Sequence, residues 1–489
     1  MITILFNSFA FLYFSIAVFL GLLILKHRDY QYLFLLAASY FFYYYSSGLI
    51  FVLIIYITLL NYYCAKGIFT AARDQIRKTY FIVGIIGSLS ILALFKYTNF
   101  SIKTINVLGG WLGYPADLPF LHLILPIGIS FYAFQAVSYL TDVYRKKMEP
   151  EKSLLKFSLY MAFFPHLLAG PIVRAAHFLP QLTLERIKIT ADNFKRGVTL
   201  IMWGLVKKAV IADNIAQFVI IFFQDPTQYP GSLPVILGAI GFAIQVYCDF
   251  SGYTDIAIGL ARVVGIDFPL NFDKPFFSRS IAEFWKRWHI SLSNWFRDYL
   301  FHPLMSLRKG ISMWWLYCSI FIVYLVSGLW HGAGWNFVVW GALHGVFLMV
   351  GMMTERWRIR FHAWIGLTKI PRVHNFIKIM VTLYLVVFSL LLFRLYNAKN
   401  IMYTARNFLF PDLSQWSAQL DSLLPAFQIS FFFIVVFMVI HIYTYFRRDT
   451  LKQIADKGIF EWIIYLLGMC LILYFFSASG STPFVYFQF

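Results

Sequence analysis

The sequence predicts an all-α, polytopic membrane protein, and its composition carries that prediction. Of the 489 residues, 60% belong to the set AVILMFWYC and only 13% are charged. A soluble domain has roughly half apolar and about a quarter charged residues. A soluble protein of this length would therefore lack the polar surface that covers a core. These values exclude a soluble enzyme, a fibre, a disordered tail and a disulfide scaffold.

Apolar segments of membrane-spanning length follow one another along the chain. A helix needs about 20 apolar residues to cross roughly 30 Å of hydrocarbon. We expect about 11 to 13 transmembrane or re-entrant helices, at residues 3–25, 31–47, 49–65, 79–96, 121–143, 154–170, 194–223, 232–260, 313–330, 335–353, 376–396, 427–446 and 460–477. The longest polar connections are expected at 66–78, 97–120, 174–193 and 397–426.

Basic residues indicate how these helices are oriented. The first span predicts a retained helix rather than a cleavable signal, because Lys26 and Arg28 follow its apolar run. Other clusters of Lys and Arg can all be placed on the same side, taken as cytoplasmic, at 73–78, 145–147, 207–208, 279–297, 356–360 and 447–457. This bias accounts for the net charge of +19, so we expect no nucleic-acid partner.

Two apolar segments are interrupted by glycine and proline. They read LPIGISFYAF at 125–134 and FFPHLLAGPIV at 163–173. Irregular backbone at membrane depth needs protein or a water-filled cavity to satisfy its polar groups. We therefore expect a cavity inside the bundle.

Segment 281–300, IAEFWKRWHISLSNWFRDYL, predicts an interfacial amphipathic helix rather than a span. Its apolar residues recur at i, i+3, i+4 and i+7. Lys286, Arg287 and Asn294 belong to the opposite, polar face. A basic polar face and a Trp-rich apolar face are typical of a helix in the headgroup region.

His331 is the strongest candidate for chemistry. Walker A, GxGxxG, HExxH and GxSxG patterns are absent from the sequence, as is HxxxxD, since Asn294 stands five residues after His289. His331 ends the uncharged stretch MWWLYCSIFIVYLVSGLW, and ionisable groups inside membranes are costly. A neutral histidine there can accept a proton from a hydroxyl or thiol and return it. The alternative is a packing histidine that is hydrogen-bonded to a carbonyl.

The other histidines have simpler interpretations. His289 is expected at the edge of the apolar face near Trp285 and Phe296, where a snorkelling interfacial side chain is the alternative to function. His166 lies beside a helix break and His344 within a span, and packing is the favoured role for both.

Two carboxylates in YCDFSGYTD also need partners. Asp249 and Asp255 lie in an apolar run, and Lys207, Lys208 or Arg262 could neutralise them. Structural pairing is the favoured interpretation. The four cysteines stand alone, with no CxxC spacing, so neither a metal site nor a disulfide framework is expected.

The apolar C-terminus, SASGSTPFVYFQF, either plugs a cavity or lies at the membrane interface. The interfacial position is favoured on composition alone. Tyr486 is the hydroxyl that stands between aromatic residues of this tail.

Long sequence blocks resemble the membrane-bound O-acyltransferase family, in its branch of bacterial alginate O-acetyltransferase-like proteins. They are LPIGISFYAFQAVSYLTDVYR (125–145), FFPHLLAGPIVR (163–174), WGLVKKAVIADNIA (203–216), QVYCDFSGYTDIAIG (245–259), LNFDKPFFSRSIAEFWKRWHISLSNWFRDYLF (270–301), SGLWHGAGWNFVVWGALHG (327–345) and the C-terminal FVYFQF. Blocks of this length in this order are highly specific. The chain departs from many members at 302–310, where HPLMSLRKG replaces a short Gly-rich IPLGG stretch.

The resemblance implies a ring of helices around a central funnel that is thin in its middle. It implies that His331 acts as general base and that His289 assists or shapes the funnel. It also implies that Tyr486 carries the acyl group, since a related teichoic-acid D-alanylation system uses a similar tyrosine tail. Donor-binding or funnel residues would be Trp285, Lys286, Arg287, Trp288, Asn294 and Trp330.

The resemblance further implies an acyltransferase of the bacterial inner membrane. An acyl group, expected to be acetyl from acetyl-CoA, would leave a cytoplasmic donor, and an extracytoplasmic partner protein would place it on a polysaccharide. The other expected partners are membrane lipids, and no resident cofactor is expected. The expected division is 1–120, 121–396 and 397–489: N-terminal helices, acyltransferase core, and C-terminal hairpin with tail. Alternatives are D-alanyl transfer from a carrier protein to a cell-wall polymer, acylation of a lipid or protein, and polymer or lipid export.

Overall fold

A computed structural model describes residues 6–114, 117–167, 170–182, 187–308, 310, 312–478, 482 and 484–485. Across these ranges the regular secondary structure is helical, as predicted. The α-helices are α1 Phe9–Ile24, α2 Arg28–Ser47, α3 Val52–Thr70, α4 Asp74–Leu92, α5 Thr98–Trp111, α6 Ile129–Tyr144, α7 Leu154–Ala162, α8 Phe164–Leu167, α9 Ala175–Phe178, α10 Ala191–Leu205, α11 Asp213–Gln224, α12 Ser232–Val263, α13 Ile281–Arg287, α14 Ile290–Phe296, α15 His302–Ser306, α16 Met313–His331, α17 Trp335–Met353, α18 Glu355–Trp364, α19 Pro371–Arg394, α20 Ala398–Leu409, α21 Trp416–Phe446, α22 Thr450–Asp456 and α23 Ile459–Phe476.

Eight helical stretches of the described chain are long and apolar enough to cross a membrane. One of them, Arg28–Thr70, contains both α2 and α3, which a 3-10 turn at Gly48–Phe51 separates. It therefore holds two of the predicted spans, 31–47 and 49–65. This result confirms the prediction of a polytopic, all-α protein.

Several predicted boundaries were wrong. The connection expected at 397–426 contains α20, and α21, expected to begin at 427, begins at Trp416. A π-helical turn joins α4 to α5, and the helix runs on to Trp111, so much of 97–120 is not a connection. The span predicted at 121–143 becomes helical only at Ile129. Gly128 precedes that helix with a φ of 76°, and a Cβ there would lie 2.3 Å from the carbonyl oxygen of Leu167. The turn therefore requires glycine.

The chain folds into two compact units, residues 1–201 with 253–269 and residues 202–252 with 270–489. In the first unit, α6 is buried along almost its whole length and packs against α3 and α4. The Tyr139 ring of α6 contacts Phe157 of α7, and the Phe157 ring in turn contacts Tyr160. The predicted division into 1–120, 121–396 and 397–489 stays a prediction.

The second unit is built around the hairpin of α16 and α17. The two helices approach most closely at glycines: a Cβ on Gly328 would lie 2.2 Å from the Phe337 carbonyl oxygen, and one on Gly341 would lie 2.3 Å from that of Tyr324. Helix α19 packs against α17, and α21 packs against α11. The hairpin fixes the end of α16, where His331 lies.

The segment predicted as one interfacial helix, 281–300, is instead two short helices, α13 and α14, with a break at His289. Its tryptophans do not face a headgroup layer: Trp285 and Trp288 are each 5% exposed. They pack on aromatic partners within the second unit, including Tyr324 and Phe272. The apolar face that suggested a membrane surface is therefore a face buried in protein.

Candidate active site

His289 occupies a strained and fully buried position between α13 and α14. Its φ of 44° lies in the left-handed region, which non-glycine residues rarely adopt. The side chain is 0% exposed. The backbone of Asn271 supports this turn, because the Ile290 N–H donates to the Asn271 carbonyl at 2.9 Å. Such conformations persist where surrounding contacts determine them, and they cluster at functional sites.

The side chain of Asn271 fixes the tautomer of His289. Asn271 Oδ1 accepts from the Ser291 N–H at 3.2 Å and from the Ser291 hydroxyl at 2.8 Å. An atom that accepts from a backbone N–H must be the amide oxygen. His289 Nδ1 lies 3.1 Å from the same oxygen, so Nδ1 carries the hydrogen and Nε2 carries the lone pair.

Aromatic rings surround the His289 imidazole. Phe250 meets it edge-on with ring centroids 4.8 Å apart, and Phe272 stacks near it at 6.3 Å. Burial lowers the pKa of His289 to about 3, because a charged ring would lose its hydration. His289 is therefore neutral at physiological pH, and its Nε2 is a hydrogen-bond acceptor.

His331 ends α16 inside a second set of aromatic rings. It is 4% exposed, and its ring centroid lies 5.0 Å from Trp340 and 5.6 Å from Phe393. The following residue, Gly332, leaves the helix with extended backbone. His331 thus stands where the helix ends, as the sequence indicated.

Trp330 brings the two histidines together. Its ring centroid lies 5.0 Å from that of His331 and 5.9 Å from that of His289. The two residues that the sequence singled out, 42 positions apart, therefore share one tryptophan neighbour. Their catalytic roles stay predictions, but their proximity is a property of the fold.

An apolar cavity of about 150 Å³ runs beside α16 in the same unit. Ser327 lines it, one helical turn before His331 and on the same side of the helix. The full lining is Trp285, Leu292, Ser293, Phe296, Arg297, Phe301, Ile320, Val323, Tyr324 and Ser327. Of the predicted donor-binding or funnel residues, Trp285 lines this cavity, and neither His289 nor His331 does.

The basic residues predicted to bind the donor are partly neutralised. Arg279 and Arg287 both pair with Glu283, at 3.1 Å and 2.7 Å. Lys286 is exposed, whereas Asn294 is half-buried. Because two guanidinium groups share one carboxylate, a net positive charge remains on this group, in addition to that of Lys286.

The remaining histidines fit packing roles. His344 Nδ1 accepts from Trp285 Nε1 at 3.3 Å, and Nε2 therefore donates to the Ser389 hydroxyl at 3.0 Å. His166 belongs to the first unit, where Phe163 and Phe268 surround its ring. Of the residues that the structure describes, no three His, Cys, Asp or Glu side chains are grouped to hold a metal ion.

The expected ion pair of Asp249 is present, with Lys208 as its partner. Lys208 Nζ lies 2.8 Å from Asp249 and 2.8 Å from Asp213. Lys207 instead donates to Ser251 at 2.9 Å, and Arg262 pairs with Asp267. Asp255 falls in the other unit.

The favoured interfacial position of the C-terminal tail was wrong for its described residues. Phe484 and Val485 are 0% and 3% exposed. The Val485 N–H donates to Asp249 at 2.7 Å, and the Phe484 ring lies 5.6 Å from Phe250. Tyr486 lies outside the described residues.

Sequence reasoning missed three residues of this region. Asn271, Asp213 and Thr482 were not singled out, although each forms a hydrogen bond that orders the site or the tail. For Asn271 and Asp213 the only signal was their place inside long family-like blocks. Thr482 precedes the FVYFQF block and had no signal.

Comparison with known proteins decides the family. The family model of membrane-bound O-acyltransferases matches residues 40–397. This chain belongs to that family. A probable alginate O-acetylase of Pseudomonas putida is 36% identical over 99% of this chain and 100% of its own length. A peptidoglycan O-acetyltransferase of Helicobacter pylori is 33% identical, over 62% of this chain and 60% of its own.

A more distant relative is the teichoic acid D-alanyltransferase of Bacillus subtilis, 29% identical over 56% of this chain and 69% of its own length. Family membership and these relatives show that the protein is a multi-pass membrane O-acyltransferase. The exporter alternative is therefore not supported.

Proposed function

We propose that this acyltransferase moves an acetyl group from cytoplasmic acetyl-CoA across the bacterial inner membrane for O-acetylation of an extracytoplasmic polysaccharide. The observation that carries the proposal is the pair of buried histidines around Trp330, with the C-terminal tail packed on Phe250 beside one of them. The acceptor class follows the relatives, among which are probable alginate O-acetylases and a peptidoglycan O-acetyltransferase.

In the first half-reaction, Tyr486 attacks the donor thioester. A tyrosine hydroxyl has a pKa of about 10 and is a weak nucleophile without a neighbouring base. His331 accepts the phenolic proton as the oxygen bonds to the acyl carbon. The carbon–sulfur bond breaks, and the leaving thiolate receives that proton. The products are a tyrosyl ester and a free thiol.

In the second half-reaction, a hydroxyl group attacks the tyrosyl ester. It belongs to an extracytoplasmic partner protein or to the polysaccharide. The bond between the acyl carbon and the tyrosine oxygen breaks, and the hydroxyl proton returns to the tyrosine. A phenyl ester is reactive, because phenolate is a good leaving group, so the acyl group passes on readily. No resident cofactor enters either step.

The donor enters along the cavity beside α16. Its volume, about 150 Å³, suits the acetylated end of a thioester arm rather than the whole donor. Lys286, exposed near this region, attracts the donor's phosphates. Binding in one cavity holds the thioester close to the acceptor hydroxyl, so the transfer no longer depends on a bimolecular encounter.

D-alanyl transfer from a carrier protein is the second candidate. It is favoured by the D-alanyltransferase of Bacillus subtilis among the relatives. The probable alginate O-acetylase of Pseudomonas putida matches 99% of this chain, whereas the D-alanyltransferase matches 56%. This difference is the reason to place acetyl transfer first.

Mass spectrometry of the purified protein tests the relay. Wild type, His331→Ala, His289→Ala and Tyr486→Phe are incubated with labelled acetyl-CoA, and the C-terminal peptide is analysed. We expect a labelled acetyl group on Tyr486 in wild type, none in Tyr486→Phe and very little in His331→Ala. His166→Ala is the matched control, since it removes a buried histidine of the other unit, and it should retain the adduct.

Two results would argue against the proposal. Labelled polysaccharide formed by Tyr486→Phe at the wild-type rate would show direct transfer from donor to acceptor. An adduct formed only when a D-alanyl carrier protein replaces acetyl-CoA would show that the second candidate is correct.

A further inference from the structure

The buried charges of Lys208, Asp213 and Asp249 surround the start of the C-terminal tail. We propose that this cluster is the docking site of the tail, and that it sets the register in which the tail meets the histidine pair. All three side chains are at most 3% exposed. The proposal rests on the proposed function, because it explains how the acyl-carrying residue is presented.

The N–H groups of the Lys208 ammonium all have polar partners only when the tail is in place. A lysine ammonium has three N–H donors. Lys208 Nζ donates to Asp213 at 2.8 Å and to the backbone carbonyl of Thr482 at 2.9 Å, and it forms an ion pair with Asp249 at 2.8 Å. Removal of the tail would leave a buried donor without its acceptor, which is costly inside a protein.

The two carboxylates also need the tail. One ammonium and two carboxylates leave an excess of one negative charge, so the cluster requires further donors. The tail provides two of them: the Thr482 hydroxyl donates to Asp213, and the Val485 N–H donates to Asp249 at 2.7 Å. The two donors are three residues apart in the chain, so both carboxylates are satisfied together only when the tail binds in this register.

A π-helical segment, Val206–Ala212, prepares the same surface. The Asp213 N–H bonds to the Lys208 carbonyl, five residues back, rather than to the carbonyl of Ala209. The Ala209 carbonyl instead accepts from the Ala478 N–H at 3.2 Å. Asn214 adds a bond to the Phe476 carbonyl at 2.8 Å. Single-turn π segments are frequent at functional sites, and here the irregularity opens a backbone acceptor for the tail.

Docking at this cluster places the tail beside the candidate active site. Phe484 contacts Phe250, and Phe250 contacts His289. We therefore assign Lys208, Asp213 and Asp249 as positioning residues, distinct from the catalytic ones.

Cysteine accessibility tests docking without reference to acyl transfer. Val485→Cys is a small change at a buried position, and its modification by N-ethylmaleimide is followed in the purified full-length protein by mass spectrometry of the C-terminal peptide. We expect slow labelling when the cluster is intact. Adding Lys208→Met or Thr482→Val should raise the rate at least about tenfold, as expected for loss of one charge-assisted hydrogen bond.

Two variants guard against a general folding defect. Thr482→Val keeps side-chain shape and leaves all three charges of the cluster in place. Lys207→Met is the matched control for Lys208→Met, because it removes a neighbouring buried lysine that bonds to Ser251, and it should leave the labelling rate unchanged.

Equal labelling rates in Thr482→Val and the intact cluster would overturn the proposal, as would an equal increase in Lys207→Met. The outcome is separate from that of the relay. Protection of residue 485 without an acetyl adduct on Tyr486 would refute the relay and support docking. An adduct that persists when the cluster is disrupted would refute docking and support the relay.

Discussion

Asn271 offers the sharpest test of how the site is ordered. Its side-chain oxygen receives three hydrogen bonds, one from His289 Nδ1 and two from Ser291. Replacement by leucine keeps similar volume and removes the acceptor. Replacement by aspartate keeps an acceptor oxygen at the same place. The two variants therefore separate loss of the hydrogen bonds from loss of the amide.

The magnitude follows from the number of donors left unsatisfied. The Ser291 hydroxyl can rotate toward another acceptor, but the His289 N–H and the Ser291 N–H are fixed in direction. Each buried unsatisfied donor costs about 1–3 kcal/mol, so Asn271→Leu should lower the free energy of unfolding by about 2–6 kcal/mol. The His289 tautomer is no longer specified, and a misplaced catalytic neighbour costs up to about 100-fold in rate.

The assay measures incorporation of labelled acetyl into polysaccharide in membrane vesicles, normalised to correctly folded protein from size-exclusion chromatography. Asn271→Leu should lose both stability and rate. Asn271→Asp should keep more of both, because its oxygens still accept from Nδ1. Ser291→Ala is the control, since it leaves the bond between Asn271 and His289 in place. A wild-type rate in Asn271→Leu, or equal losses in the leucine and aspartate variants, would refute the tautomer argument.

Three further predictions concern packing and pH. Gly328→Ala should strongly lower the melting temperature, because its Cβ would lie 2.2 Å from the Phe337 carbonyl oxygen. Gly351→Ala is the control: no atom lies within 4 Å of its Cβ, so the melting temperature should stay the same or rise. His344→Leu leaves the indole N–H of Trp285 unpaired and should cost about 1–3 kcal/mol in unfolding experiments while acetyl transfer per folded molecule persists. Stability should fall as pH drops below about 6.5, the unfolded pKa of histidine, because unfolded His289 takes up a proton that the native ring, with a pKa of about 3, refuses. In His289→Gln the slope of unfolding free energy against pH should be shallower by about 1.4 kcal/mol per pH unit. An unchanged slope would contradict the conclusion that His289 is neutral in the folded protein.

The sequence predicted well what depends on local composition and on family-like blocks. Apolar run length located most helices, and the WHG and RWHIS blocks located His331 and His289. Periodicity misled at 281–300, because an amphipathic pattern looks the same whether its apolar face meets lipid or protein. Nothing in the helical pattern signalled the left-handed turn at His289, which depends on a partner 18 residues earlier, Asn271.

The C-terminal tail is a second case in which local composition did not predict the tertiary contacts. A short apolar C-terminus is compatible with a membrane interface, and only tertiary contacts reveal that Val485 reaches a buried carboxylate. The pairing of Asp249 with Lys208 was one of the expected pairings, because a buried carboxylate needs a cation. The involvement of Asp213 and Thr482 could not be predicted, since it depends on a π-helical segment that composition does not signal.

His289 and His331 have different proposed roles, and the surroundings of His289 give the reason. A general base works best when its pKa lies near the operating pH. Burial holds the pKa of His289 at about 3, and Asn271 fixes its proton on Nδ1. His289 is therefore a weak base whose Nε2 can accept a hydrogen bond, and we expect it to orient a hydroxyl rather than to deprotonate it. In the proposed mechanism the base is His331, at the end of α16 and in contact with Trp330. In that mechanism the proton that His331 accepts passes to the leaving thiolate as the ester forms.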